Sequence, residues 1–164
     1  MRILGIDPGF AIVGYGAVEC VEGRFSPISY GAITTPAHTL IENRLKEIYD
    51  CMTELIKTHR PDCIAIEELF FNTNRRTAVD VCQARGVILL SAVNAGINVY
   101  EYTPLQIKQA VVGYGRAEKQ QVQYMVKLLL GLDKTPRPDD AADALAIAIC
   151  HGNSMNMRNL KIKV

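Results

Sequence analysis

The sequence predicts an α/β domain built on one central, mixed, five-stranded sheet flanked by helices. Its opening third is a series of short apolar runs separated by turn residues, as in an antiparallel meander. Residues 40–59 then switch to a helical period. From there, strand-length apolar runs alternate with helical ones, the pattern of parallel strands joined by crossover helices.

Each element has its own justification. Ile3, Leu4, Gly5 and Ile6 read as a strand buried on both faces, giving a first strand over residues 2–7. Residues 14–19 and 25–34 make the second and third. In the helix at 40–59, Leu45, Ile48, Met52, Leu55 and Ile56 share one face, with Glu and Lys opposite. Cys63 to Glu67 is a further buried strand. Residues 68–74 form a loop, residues 75–94 a long helix rich in small residues, and Asn98 to Tyr102 a fifth strand. Three more helices are expected at 104–112, 118–131 and 139–151. Ala78, Cys82, Ala84, Gly86, Ala92 and Ala95 give the 75–94 helix small faces, suited to close contact with the sheet or with a two-fold partner helix.

Composition excludes several classes. A chain of 164 residues suffices for one domain with a real core, and a hydrophobic content of 49% is too high for disorder. No apolar run reaches the length needed to cross a bilayer, so no membrane association is expected. The first residues carry no signal-peptide pattern. Cysteines 20, 51, 63, 82 and 150 form no CxxC pair, and read as reduced thiols of a cytoplasmic protein. A net charge of +1 does not announce a nucleic-acid binder. Between residues 104 and 137, however, Lys108, Arg116, Lys119, Lys127, Lys134 and Arg137 outnumber Glu118 and Asp133. The expected organisation is one domain over 1–152 and a short basic tail over 153–164 carrying Arg158, Lys161 and Lys163.

Four carboxylates stand in awkward places. Asp7 and Glu67 each close an apolar strand. Acidic residues are depleted in strands, yet ligands of open α/β sheets collect at the carboxyl ends of strands. The alternative is that each caps a helix or accepts turn N–H bonds. In "PDDAADALAIAICH" (138–151), Asp139 fits an N-cap and Asp140 a first turn, where the helix dipole favours an anion. Asp143 sits among alanines, leucine and isoleucine on a helix apolar nearly all round, hence buried. Asp140 and Asp143 project from one helical face. A buried carboxylate without a partner costs several kcal/mol or neutralises itself.

If Asp7, Glu67, Asp140 and Asp143 converge, two carboxylates about 4 Å apart repel by about 4 kcal/mol at an effective dielectric of about 20. The sequence sets no Lys or Arg within several residues of Glu67 or Asp143 to offset this. Oxygen donors in excess suit Mg²⁺, with Mn²⁺ as a substitute, rather than zinc. A pair of such ions about 3.5–4 Å apart stabilises both the attacking and the leaving oxygen of an in-line phosphoryl displacement.

Six segments occur in order along nearly the whole chain: "GIDPG" (5–9), "GYG" (14–16), "AIEELFF" (65–71), "QARGV" (83–87), "KQAVVGYGRAEKQQV" (108–122) and "DAADALAIAICH" (140–151). In them the sequence resembles the RuvC family of crossover junction endodeoxyribonucleases. The resemblance implies a ribonuclease H-like fold and a homodimer. It implies Mg²⁺-dependent, symmetric nicking of four-way (Holliday) DNA junctions during recombination and repair, alongside a branch-migration motor of the RuvA and RuvB type. The family's acidic ligands fall on Asp7, Glu67, Asp140 and Asp143, the four the physical reading selects. Phe10 is bulkier than the family pattern after GIDPG, and Asp139 adds an acid beside the motif; the spacing to Asp143 favours Asp140 as the inward residue.

Further residues follow from that resemblance. Phe70 resembles the family's aromatic wedge, which stacks on a base, and Phe71 shares its Asn-rich loop; stacking of this kind is worth about 1–3 kcal/mol per base. Thr73 or Asn74 is a plausible N-cap for the next helix. Arg75 and Arg76 would flank the DNA path as phosphate contacts. Lys108 and Lys119 match basic residues beside the family's active site, as phosphate clamps or as charges offsetting the transition state. Gly113 and Gly115, like Gly14 and Gly16, are expected to clear space for an approaching DNA backbone, with Tyr15 in the core. The intact acidic set favours catalysis over the alternative of a non-catalytic junction-binding protein of the same fold. A half of an actin-like phosphotransferase, the other reading of GIDPG, would need a second domain and a second phosphate loop.

Overall fold

A computed structural model describes residues 1–69 and 75–161; of residues 75–77 and 156–161 it describes the backbone alone. The elements run β1 (Arg2–Asp7), β2 (Ile12–Val21), β3 (Arg24–Thr34), α1 (Ile41–His59), β4 (Cys63–Glu67), α2 (Arg75–Asn94), β5 (Asn98–Tyr102), α3 (Pro104–Val112), α4 (Lys119–Leu129) and α5 (Asp139–Lys161). The sheet order is β3-β2-β1-β4-β5. β1, β2 and β3 pair antiparallel, while β1, β4 and β5 are parallel. The predicted mixed sheet is the one observed.

The meander strands outrun their expected bounds. β2 and β3 meet in a hairpin whose turn residues, Glu22 and Gly23, have φ of 51° and 81°. Two left-handed residues match the twist of the flanking strands and carry pairing up to the turn. α3 starts on a capping box, Thr103 with Gln106, with Pro104 as its first residue, and stops at Gly113 with φ 92°. Gly113 therefore serves the helix end.

Side-chain alternation divides the core in two. One face of the sheet, with Leu4, Ile6, Val13, Ala17, Ile64 and Ile66, packs on Ile48, Met52 and Ile56 of α1 and on Ala84, Ile88 and Ala92 of α2. The other face, with Ile3, Val18, Cys20, Cys63 and Ala65, packs on α3, α4 and the alanine-rich α5. Tyr15 is half-buried at the rim of the first cluster rather than inside it. Cys20, Cys63 and Cys150 are buried thiols.

α5 lies directly on the sheet because the strands beneath it lack side chains there. A Cβ on Gly5 would stand 2.0 Å from the Ala144 carbonyl oxygen, and one on Gly16 would stand 2.8 Å from Leu145 Cδ2. The glycines of β2 thus make room for a helix, not for DNA. Gly115 likewise accommodates Leu105 Cδ1, 2.1 Å from where its Cβ would be. α5 also runs on past residue 151 to Lys161, so the backbone at Arg158 and Lys161 is helical.

Candidate active site

β1 and β4 are parallel and in register, with Ile3 opposite Cys63 and Ile6 opposite Ile66. The next residue of each strand is a carboxylate, Asp7 and Glu67. Alternation sends both toward the face of Ile3, Gly5, Cys63 and Ala65, which α5 covers. Gly14 is the partner of Asp7 across the β1–β2 pair. A Cβ on Gly14 would lie 2.1 Å from the Asp140 carbonyl oxygen, so Asp140 rests against β2 beside Asp7. Asp143 follows one turn later and lines a cleft of about 250 Å³ with Glu67, Lys108, Lys119, Ile107 and Val122. Asp139 faces outward, bonded to Arg137 and 3.8 Å from Lys119 Nζ.

The turn after Asp7 is anchored. The Phe10 carbonyl oxygen accepts from Thr35 Oγ1 at 2.7 Å, and the Arg44 guanidinium lies 3.8 Å above the Phe10 ring. The bulk of Phe10 thus has a use in this chain: a cation–π contact that fixes the loop leaving β1.

Charge explains why these positions are costly. Burial pushes the Asp7 carboxyl from 3.8 up to about 7, helped by the negative charges of Glu67, Asp143 and Asp140 and opposed by Lys119. Burial also raises Glu67, together with Asp143, while Lys108 and Lys119 pull it down. Burial raises Asp143 in turn, against a hydrogen bond from Lys119. Lys119 Nζ stands 2.8 Å from Asp143 Oδ2. The cations that the local sequence does not provide near Asp143 and Glu67 come from α3 and α4. Lys119 is set in place by a capping box of Glu118 and Gln121, which makes it the first residue of α4. That box is legible in the sequence; its proximity to Asp143 is not.

The four expected acidic residues therefore share one end of the sheet and feel one another. Among the described residues, no three acidic, His or Cys side chains close on a common point at ligand distance. Lys119 takes one oxygen of Asp143, and like charge holds the other carboxylates apart. The donor set nevertheless fits a hard divalent cation: it is all oxygen, and its four carboxylates outnumber the two cations beside them, Lys108 and Lys119. Phe70, Phe71, Thr73 and Asn74 lie outside the described residues, as do the side chains of Arg75 and Arg76, which open α2. Sequence reasoning also passed over Arg85 Nη2, 2.8 Å from Glu101 Oε1, and His151, buried against Tyr102 and Cys63. A histidine closing the apolar run of residues 141–150 was the available signal for the second.

Comparison with known proteins agrees with this layout. A family model described as "Crossover junction endodeoxyribonuclease RuvC" matches residues 3–151. A relative of that name from Caldanaerobacter subterraneus subsp. tengcongensis is 60% identical over 157 residues, 96% of this chain and 95% of its own. The Thermus thermophilus RuvC structure is similar with a TM-score of 0.90 at 36% identity, covering 96% of this chain and 97% of that one. T. thermophilus RuvC in complex with a Holliday junction substrate gives 0.88 at 34% identity, over 96% of each chain.

Proposed function

The chain belongs to the RuvC family of crossover junction endodeoxyribonucleases, and from that membership we propose that it resolves four-way DNA junctions by symmetric hydrolysis of phosphodiester bonds. Its sheet and helices have the ribonuclease H-like arrangement. The observation that carries the reading is the gathering of Asp7, Glu67, Asp140 and Asp143 at one end of the sheet, where α5 crosses β1, β2 and β4.

In this reading Asp7, Glu67, Asp140 and Asp143 hold Mg²⁺, two ions per site, with Mn²⁺ as a substitute. Bound there, the cation supplies Lewis-acid charge to phosphoryl oxygens and acidity to water. The protein does the rest. β1 and β4 hold Asp7 and Glu67 on rigid backbone, and α5 brings Asp140 and Asp143 across them. Lys108 and Lys119 draw the scissile phosphate into the cleft, and Lys119 exchanges its Asp143 oxygen for one of the phosphate. Water adds to phosphorus in line with the departing 3′ oxygen, the P–O3′ bond breaks, the attacking water gives up its proton to solvent, and the 3′ oxygen takes one from solvent to leave as a hydroxyl. Phe70 or Phe71 stacks on a base near the exchange point, and Arg75 and Arg76 contact phosphates. The nuclease unit spans residues 1–152.

Two symmetric cuts need two sites, so the working form is a homodimer. α2 exposes an apolar stripe for it: Val79, Leu90 and Val93 among the large side chains, with Cys82 and Gly86 between them. Ala84 and Ala92, also candidates for that contact, face the core instead. A motor of the RuvA and RuvB type is the proposed partner, in the bacterial cytoplasm; among the described residues no helix is long and apolar enough to cross a membrane. The complete acidic set favours catalysis over junction binding alone. A cleavage assay on a synthetic four-way junction and on linear duplex tests the proposal. Paired nicks on the junction only, and only with Mg²⁺ or Mn²⁺, are expected; equal cleavage of the duplex, or none of either, refutes it.

A further inference from the structure

α5 carries two of the four acids, and its contact with the sheet is made largely of small groups. Ala141, Ala142, Ala144, Ala146 and Ala148 are fully buried, Ala144 and Ala148 lie on Gly5, and Leu145 sits on Gly16. Methyl groups on glycine backbone resist sliding along the helix axis less than interlocked large side chains do, which leaves Leu145 and the polar contacts of the helix to oppose it. A slip of a single residue would displace Asp140 and Asp143 by about 1.5 Å, enough to spoil a site that must be held to within a fraction of an ångström.

His151 is the polar feature of that buried face. It is 1% exposed. Its Nδ1 lies 2.8 Å from the Tyr102 hydroxyl and its Nε2 3.2 Å from Cys63 Sγ. Its ring stands 4.5 Å, centroid to centroid, from that of Tyr100. Burial pushes the Cys63 thiol up to about 11, so the sulfur keeps its proton and serves as a hydrogen-bonding group rather than a nucleophile.

These contacts act as a ruler. The start of α5 rests on Gly14 at the carboxylate end of the sheet, whereas Gly152 abuts Phe25 and Cys20 at the other end. α5 therefore runs antiparallel to β4. From Cys63 to Glu67 is four strand residues, about 13 Å. From Asp143 to His151 is eight helical residues, about 12 Å. Fastening His151 to Cys63 at one end sets Asp143 level with Glu67 at the other. Tyr102 closes the frame, since it is the register partner of Glu67 on β5 and its hydroxyl reaches His151.

We infer that His151, held by Tyr102 and Cys63, is a positioning residue that fixes the axial register of α5 and so sets Asp140 and Asp143 against Asp7 and Glu67 for a divalent cation. The inference rests on the reading of those four carboxylates given above. The test is Mn²⁺ binding by calorimetry to the full chain without DNA, with melting temperature and junction cleavage measured alongside, for the parent, Tyr102→Phe, His151→Leu and His151→Asn. Tyr102→Phe keeps the ring and removes one bond, so it remains folded and decides the matter if His151→Leu does not fold. Tyr102→Phe and His151→Leu are expected to bind Mn²⁺ about tenfold more weakly, the lower end of what outer-shell changes cost at metal sites. His151→Asn, which keeps a group able to bond the Tyr102 hydroxyl, is expected to recover most of that loss. Unchanged Mn²⁺ affinity in both weakened variants, with only the melting temperature lowered, overturns the inference alone. A parent that neither binds Mn²⁺ nor cleaves a junction overturns the functional reading, and this inference with it.

Discussion

In the proposed site a single side chain, Asp7, bears the largest share of the burial and charge strain. Its carboxyl is raised from 3.8 to about 7 by burial and neighbouring negative charge, so the folded state binds its proton more tightly than the unfolded chain. Its contribution to stability is present in full below about pH 4 and is lost as the pH rises through about 7. The metal-free protein should therefore melt at lower temperature at pH 8 than at pH 5 on this account. Asp7→Asn removes the effect: the variant should be the more stable above pH 7, by at most about 4 kcal/mol, and equal to the parent near pH 4. Thermal melts of both proteins in chelator across that range measure it, and added Mn²⁺ should stabilise only the parent. Asp7 stood out because a carboxylate closes the apolar run "ILGI"; a turn acceptor was the competing reading, and the other three acids with the family resemblance tipped the choice. Lys119 as the partner of Asp143 was not, because the two are 24 residues apart in sequence (143 minus 119) and meet only when α4 docks on α5.

At the scale of elements, the contact of α5 with β1 and β2 decides whether the site exists. Gly14→Ala would thrust a methyl group to 2.1 Å from the Asp140 carbonyl oxygen. The helix must lift or shift, at about 1–3 kcal/mol, and Asp140 moves with it. Junction cleavage should fall together with the melting temperature. Gly86→Ala, whose Cβ meets nothing within 4 Å in this chain, is the control for the melting temperature alone, because Gly86 also lies on the proposed dimer stripe. The bounds of β4, α2, β5 and α3 followed from apolar period and flanking turn residues. The glycines of β2 were read correctly as places of close approach and wrongly as to what approaches. A missing Cβ announces a gap, but its occupant is a tertiary fact.

For the whole molecule, the open question is how one sheet yields two symmetric cuts. The stripe of Val79, Cys82, Gly86, Leu90 and Val93 follows a helical repeat along the exposed side of α2, with Leu90 53% and Val93 69% exposed. Apolar groups so arranged suit a two-fold partner helix. Leu90→Glu should convert the proposed dimer to monomer in sedimentation without lowering the melting temperature of the monomer fold. Paired cuts on a junction should then give way to weak single nicks. A variant that stays dimeric would move the interface elsewhere.

Local chemistry determined much on its own. Apolar periodicity wrote the strands and helices, and four acids set among aliphatic neighbours marked themselves out, because a buried charge is costly in any arrangement of the chain. Only the tertiary structure decided which distant groups meet: Asp140 against Gly14, Lys119 on Asp143, and His151 between Tyr102 and Cys63. Such contacts depend on strand register and helix docking, which are settled by the summed packing of the whole core and leave no trace in the spacing of any one segment.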